Sequence, residues 1–191
     1  MSGVADVGVP TQVGENFNES SSPLLFHWLC ALLMLAQLAL GWWMGTVPKS
    51  PPGLRAGWFN LHKSLGLTIL LLVVLWLACR RWNRPPDAGP RWQQVAAMLN
   101  HALVFGCMLV IALSGYLGSS FTRYPVLFFG WALPAWGGDW PAGKEAMSQL
   151  HAAAVWLLVA LLVVHIAAAL RHWVGGHPAT ARIGLGRLRR N

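Results

Sequence analysis

The chain has 191 residues, 55% hydrophobic and only 10% charged, with a mean hydropathy of +0.49. Soluble domains carry about 25% charged residues, so a water-soluble globular fold is excluded and lipid is the solvent for most of the chain. The net charge of +8 would suit a nucleic-acid binder, but the basic residues gather at span ends and in the C-terminal tail, where lipid headgroups and topology account for them; no nucleic-acid partner is expected.

In chain order, residues 1–23 are polar, hold Asp6, Glu15 and Glu19, and contain no Lys or Arg. A cleavable signal needs a basic start and a short apolar core, so this stretch is read as a flexible cytoplasmic tail. A first span is predicted from about Leu24 to Val47, stopped by Pro48, Pro51 and Pro52. A second runs from about Asn60 to Cys79 and ends at Arg80, Arg81 and Arg84. A proline-rich linker leads to a third, from about Gln94 to Leu117. Residues 118–147 form a long loop rich in Phe, Tyr and Trp. It reads first as an interfacial aromatic belt and second as a cap over an outer cofactor. The fourth span runs from about Ser148 to Leu170, and residues 174–191 form a basic tail. Lipid forbids unpaired backbone, and the runs are too long for barrel strands. The fold class is therefore all-α: an integral membrane four-helix bundle over residues 24–173. Cys30, Cys79 and Cys107 lie in apolar runs and read as small buried hydrophobes.

Of the 14 Lys and Arg residues, nine fall on the side of the tails and the 80–93 linker and five on the other. The positive-inside bias places both termini in the cytoplasm.

Histidine is costly in lipid-facing sequence and usually functional there. His27, His62, His151 and His165 lie inside or at the rims of the spans. His151 and His165 are 14 residues apart on one span; that separation returns to nearly the same helix face and puts the rings ~21 Å apart along the axis. Span direction and depth pair His27 with His165 near the cytoplasmic side, and His62 with His151, each opening its span, near the outer side. Two imidazoles facing each other suit the axial positions of a b-type haem. Zinc or di-iron chemistry would need donor clusters that these spans lack. Taken singly, each histidine also reads as a hydrogen-bonded interfacial residue. His101 shares the inner depth and reads as a quinone or proton site or a packed polar residue; a rival ligand is the third reading. Arg55 and Lys63, at the outer rim, are candidates to pair with haem propionates or with headgroups. His172 and His177 read as surface residues beyond the last span.

On these residues the chain resembles the bacterial cytochrome b561 family. The resemblance rests on Phe26-His27-Trp28, on Arg55 with the Asn60-Leu61-His62-Lys63-Ser64-Leu65-Gly66 run, on Leu99-Asn100-His101, on Leu113-Ser114-Gly115-Tyr116, and on His151 and His165. It covers about residues 24–173. It implies an inner-membrane protein with two non-covalent haem b groups, ligated by His27, His62, His151 and His165. It also implies electron exchange with ubiquinone, and some members resemble superoxide–quinone oxidoreductases. Two alternatives stand beside it. One is an electron-conduit subunit travelling with a dehydrogenase or hydrogenase partner. The other is a haem-free membrane transporter whose histidines relay protons.

Overall fold

The computed structural model describes residues 21–51, 53–79 and 90–175. Four helices account for most of them: α1 (Ser21–Met44), α2 (Leu54–Cys79), α3 (Arg91–Ser120) and α4 (Pro141–Val174). All four are long and apolar enough to cross a membrane. Arg80, Arg81, Arg84, His177 and residues 1–20 and 176–191 lie outside the described residues; Ser21–Pro23, read as the end of the N-terminal tail, instead begin α1, and Val174 closes α4.

The helices begin earlier than the apolar runs suggest. α2 starts at Leu54 rather than near Asn60, and α4 at Pro141 rather than near Ser148. Pro141 occupies the first turn of α4, where its fixed φ suits a helix start and its missing N–H costs nothing. Polar turns such as Lys144-Glu145 continue the helix into the headgroup layer, where water or lipid can meet their side chains. With 34 residues, α4 is ~51 Å long against a hydrocarbon layer of ~30 Å. It therefore projects well beyond the apolar slab. His172, expected past the last span, is half-buried on α4 itself.

The helices pack as two pairs. α3 lies along α4 over the longest contact, α1 lies along α2, and α2 joins the pairs through α3. Neither α1 nor α2 approaches α4 comparably at the backbone. Ile69, Val73, Cys107, Met108 and Leu158 form the buried core, with Leu33 and Met34 of α1 against it. Leu158 is 1% exposed and lies midway between His151 and His165. The core thus sits at mid-bundle, with one histidine level on each side. Most other large apolar side chains, including Leu32, Trp156 and Val163, face outward, as lipid requires.

The long loop is ordered around a hairpin of β1 (Val126–Phe128) and β2 (Trp131–Leu133), paired antiparallel with Leu127 opposite Ala132. Phe129 and Gly130, at φ 47° and 94°, form the turn, both in the left-handed region that a primed hairpin turn requires. Ser64 of α2 holds it: its hydroxyl donates to the Asn60 carbonyl at 2.8 Å and accepts the Phe129 N–H at 2.9 Å. On the α3 side, the Tyr116 hydroxyl donates to the Pro134 carbonyl and accepts the Trp136 indole N–H at 3.1 Å. Val126, 1% exposed, points inward and lines the same cleft as His62 and His151. Tyr124, Trp131 and Trp136 stay exposed. One loop thus buries Val126 against the bundle and leaves Tyr124, Trp131 and Trp136 exposed.

Candidate functional site

The four intramembrane histidines meet as two pairs. At one end, His27 of α1 and His165 of α4 have ring centroids 6.2 Å apart. At the other, His62 of α2 and His151 of α4 are 6.4 Å apart. Neither outer histidine opens its helix. His62 lies eight positions after Leu54 and His151 ten after Pro141, so this pair sits two to three turns inside the helices.

Edge-to-face aromatic pairs stand about 4.5–7 Å apart, so 6.2 and 6.4 Å suit either direct contact or a group held between the two rings. Two imidazoles on opposite faces of one metal, at bonds of about 2.0–2.1 Å, have centroids about 6.3 Å apart. Among the described residues, no group of three or more His, Cys, Asp or Glu is placed to hold a metal ion. Two imidazoles at each level would suit a haem, which would bring its remaining donors with it and supply one-electron chemistry there. Each pair also spans helices that do not pack closely, α1 with α4 and α2 with α4, as a flat group between them demands.

The surroundings fit as well. A Cβ on Gly41 would stand 3.0 Å from His62 Cε1, and one on Gly115 would stand 3.3 Å from His151 Cε1 and Nδ1. Glycine at both positions lets the rings lie against neighbouring backbone. His151 Nδ1 is 2.9 Å from the Ile111 carbonyl oxygen. A carbonyl only accepts, so this contact puts the proton on Nδ1 and leaves Nε2 bare. Ser114, buried beside it, sends its own hydroxyl to the Val110 carbonyl at 2.6 Å. His62 Nδ1 is buried without a hydrogen-bond partner. The outer cleft between these rings is lined by Met34, Gln37, Gly66, Met108 and Leu158 among others, a largely apolar wall for a flat hydrophobic ligand.

His101 sits at the inner level. Its ring is 5.3 Å from that of His165, edge to face. It packs beside the His27–His165 pair rather than completing a pair of its own, and it is exposed on the α3 surface. Lys63 lines the outer cleft. Arg55 lies two turns before His62, with its guanidinium carbon 5.5 Å from the Phe59 ring centroid. Asn100, Gln37 and Ser114 had no role assigned from sequence, yet each touches a histidine or its backbone. Polar residues inside apolar spans were the available signal.

Residues 22–185 match the family model for prokaryotic cytochrome b561. The chain is 32% identical over 155 residues to cytochrome b561 homolog 2 of Escherichia coli (strain K12), covering 77% of this chain and 80% of that protein. With four apolar helices of membrane-spanning length and a match over most of its residues, the chain belongs to the prokaryotic cytochrome b561 family, membrane electron-transfer proteins that carry b-type haem.

Proposed function

We propose that the bundle holds two b-type haems, one at each histidine level: an inner haem between His27 and His165 and an outer haem between His62 and His151. The observation that carries this reading is the pair of imidazole separations, 6.2 and 6.4 Å, at two levels of one bundle. When bound, haem supplies one-electron transfer, and two such groups at these depths make the protein an electron conduit between the outer face and the quinone pool. Held by two histidines each, such groups would leave oxygen no place to bind and would favour outer-sphere transfer.

The chain's own residues then have definite tasks. The four imidazoles bind and orient. Gly41 and Gly115 leave room for His62 and His151. Lys63 in the cleft wall and Arg55 on the His62 face bind the outer propionates. Val126 and the hairpin keep water from the outer site. His101, exposed to the lipid phase beside His165, is the group placed to hydrogen-bond a quinone and hold its proton. A basic outer rim attracts a small anionic reductant of the superoxide type. By the positive-inside bias, both termini face the cytoplasm of a bacterial inner membrane.

A reduced-minus-oxidised visible spectrum with haem quantified per chain tests the reading. Two b-type haems per chain are expected. A pigment-free protein overturns it in favour of a proton-relay transporter, and one haem per chain overturns the two-site arrangement.

A further inference from the structure

We propose that α3, which carries no member of either imidazole pair, sets the tautomer of both α4 histidines, and that Asn100 is the positioning residue for His165. The inference rests on the ligand assignment above and goes beyond it.

The outer half is direct: the Ile111 carbonyl meets His151 Nδ1 at 2.9 Å. The inner half is a side chain. Asn100 places its amide 3.4 Å from His165 Nδ1, and its Oδ1 is buried with no hydrogen-bond partner. The two ends of an amide exchange by a half-turn, and the surrounding network decides between them. With Nδ2 toward the ring, Nδ1 must accept. The imidazole proton then sits on Nε2, which can no longer bind a metal. With Oδ1 toward the ring, Asn100 accepts the Nδ1 hydrogen and Nε2 is bare. A metal-binding His165 therefore requires the second orientation, which pairs Oδ1 with the Nδ1 hydrogen and turns Nδ2 to the position Oδ1 occupies here.

The two contacts share a register. Asn100 and Ile111 are 11 residues apart, close to three turns, so they lie on one face of α3. His151 and His165 lie on one face of α4. The longest helix contact in the bundle, α3 against α4, brings these faces together. One helix offers imidazoles and its neighbour offers an oxygen behind each.

A ligand imidazole that donates its second N–H to oxygen is a more basic ligand. It favours the oxidised metal and lowers the midpoint potential. Asn100→Leu removes the acceptor, whereas Asn100→Asp keeps an oxygen in the same place.

The test is spectroelectrochemical titration of the purified haem-loaded wild type, Asn100→Leu and Asn100→Asp. The inner component is identified as the one lost in His165→Ala. Asn100→Leu should raise the potential of the inner component alone, and Asn100→Asp should return it to the wild-type value or below. If Asn100→Leu instead loses the inner haem, Asn100→Asp must retain it. Equal shifts in both components, no shift in either variant, or the same loss in both variants overturns the role of Asn100. A wild type that lacks two separable components overturns the ligand assignment itself, so the two failures are distinct.

Discussion

Gln37 of α1 donates its side-chain N–H to the backbone carbonyl of His62 on α2 at 2.7 Å. The approach is possible because residue 66, one turn further along, is glycine. A Cβ there would stand 3.0 Å from the Gln37 nitrogen. This clasp fixes the spacing of α1 and α2 at the level where His62 must face α4. Gly66→Val should push Gln37 and α1 outward and weaken outer haem binding while the inner haem is retained. Gln37→Leu should be milder, shifting stability by about 0.5–1.5 kcal/mol, because the carbonyl keeps its helical bond. Haem content and thermal unfolding of the two variants check this ordering.

Substitution of the histidines should sort them into two classes. His62→Ala and His151→Ala should each lose the same spectral component, and His27→Ala and His165→Ala should each lose the other. Each variant should retain about half the haem, since the levels are separated by ~21 Å along α4 and by the core around Leu158. Pyridine haemochrome quantification with low-temperature spectra reads the classes. Loss of both components from any single variant would show that the levels are not independent.

Ser64 pins the outer hairpin to α2. Ser64→Ala removes the acceptor for the Phe129 N–H, seen at 2.9 Å, from a turn whose Phe129 already has φ 47°. Losing this part-buried hydrogen bond costs about 0.5–1.5 kcal/mol. The hairpin should open more often, carrying Val126 off the cleft. The expected readouts are faster proteolysis between residues 121 and 140 and faster reduction of the outer component by aqueous dithionite, with haem content unchanged.

Much of this architecture is legible in the sequence. Four apolar runs and two histidine depths predict which imidazoles come together, because direction and depth alone fix the level of a residue in a membrane bundle. The His-Lys-Ser-Leu-Gly run owes its distinctiveness to separate tasks: His62 faces His151, Ser64 holds the hairpin and Gly66 admits Gln37. The early helix starts were not legible from apolar runs, since the outer turns of α2 and α4 are polar yet helical. Pro141 was the usable signal. The contacts of Asn100 and Ile111 depend on the rotation of α3 against α4, which hydropathy does not encode.

Steering of an anionic reductant should be weak. Arg123, one of the five basic residues on the side opposite the tails with Lys49, Arg55, Lys63 and Lys144, is paired with Asp139 at 3.0 Å, so its charge is locally neutralised. Raising ionic strength from about 0.01 to 0.15 M shortens the screening length from about 30 to 8 Å. The rate of outer-component reduction by superoxide should fall by only a few fold. Asp139→Asn frees the Arg123 charge and should raise the low-salt rate. Stopped-flow traces across a salt series read both effects, and a flat response would remove electrostatic steering from the account.

His101 separates proton handling from haem binding. Its ring lies 5.3 Å from that of His165, while the side chain is exposed at the α3 surface, where a membrane-dissolved quinone has access. Reducing a quinone needs protons as well as electrons, and in the described part of the inner level no carboxylate is present to deliver them. His101→Ala should slow quinone turnover by roughly 10²-fold or more, the range typical of a lost general acid or base, while both haems stay bound with unchanged spectra. His101→Gln keeps a hydrogen bond but cannot take up a proton at working pH. It should restore quinone affinity and leave turnover slow. Full turnover in His101→Gln would reduce His101 to a binding contact, and loss of the inner haem in either variant would place it in the structural support of His165.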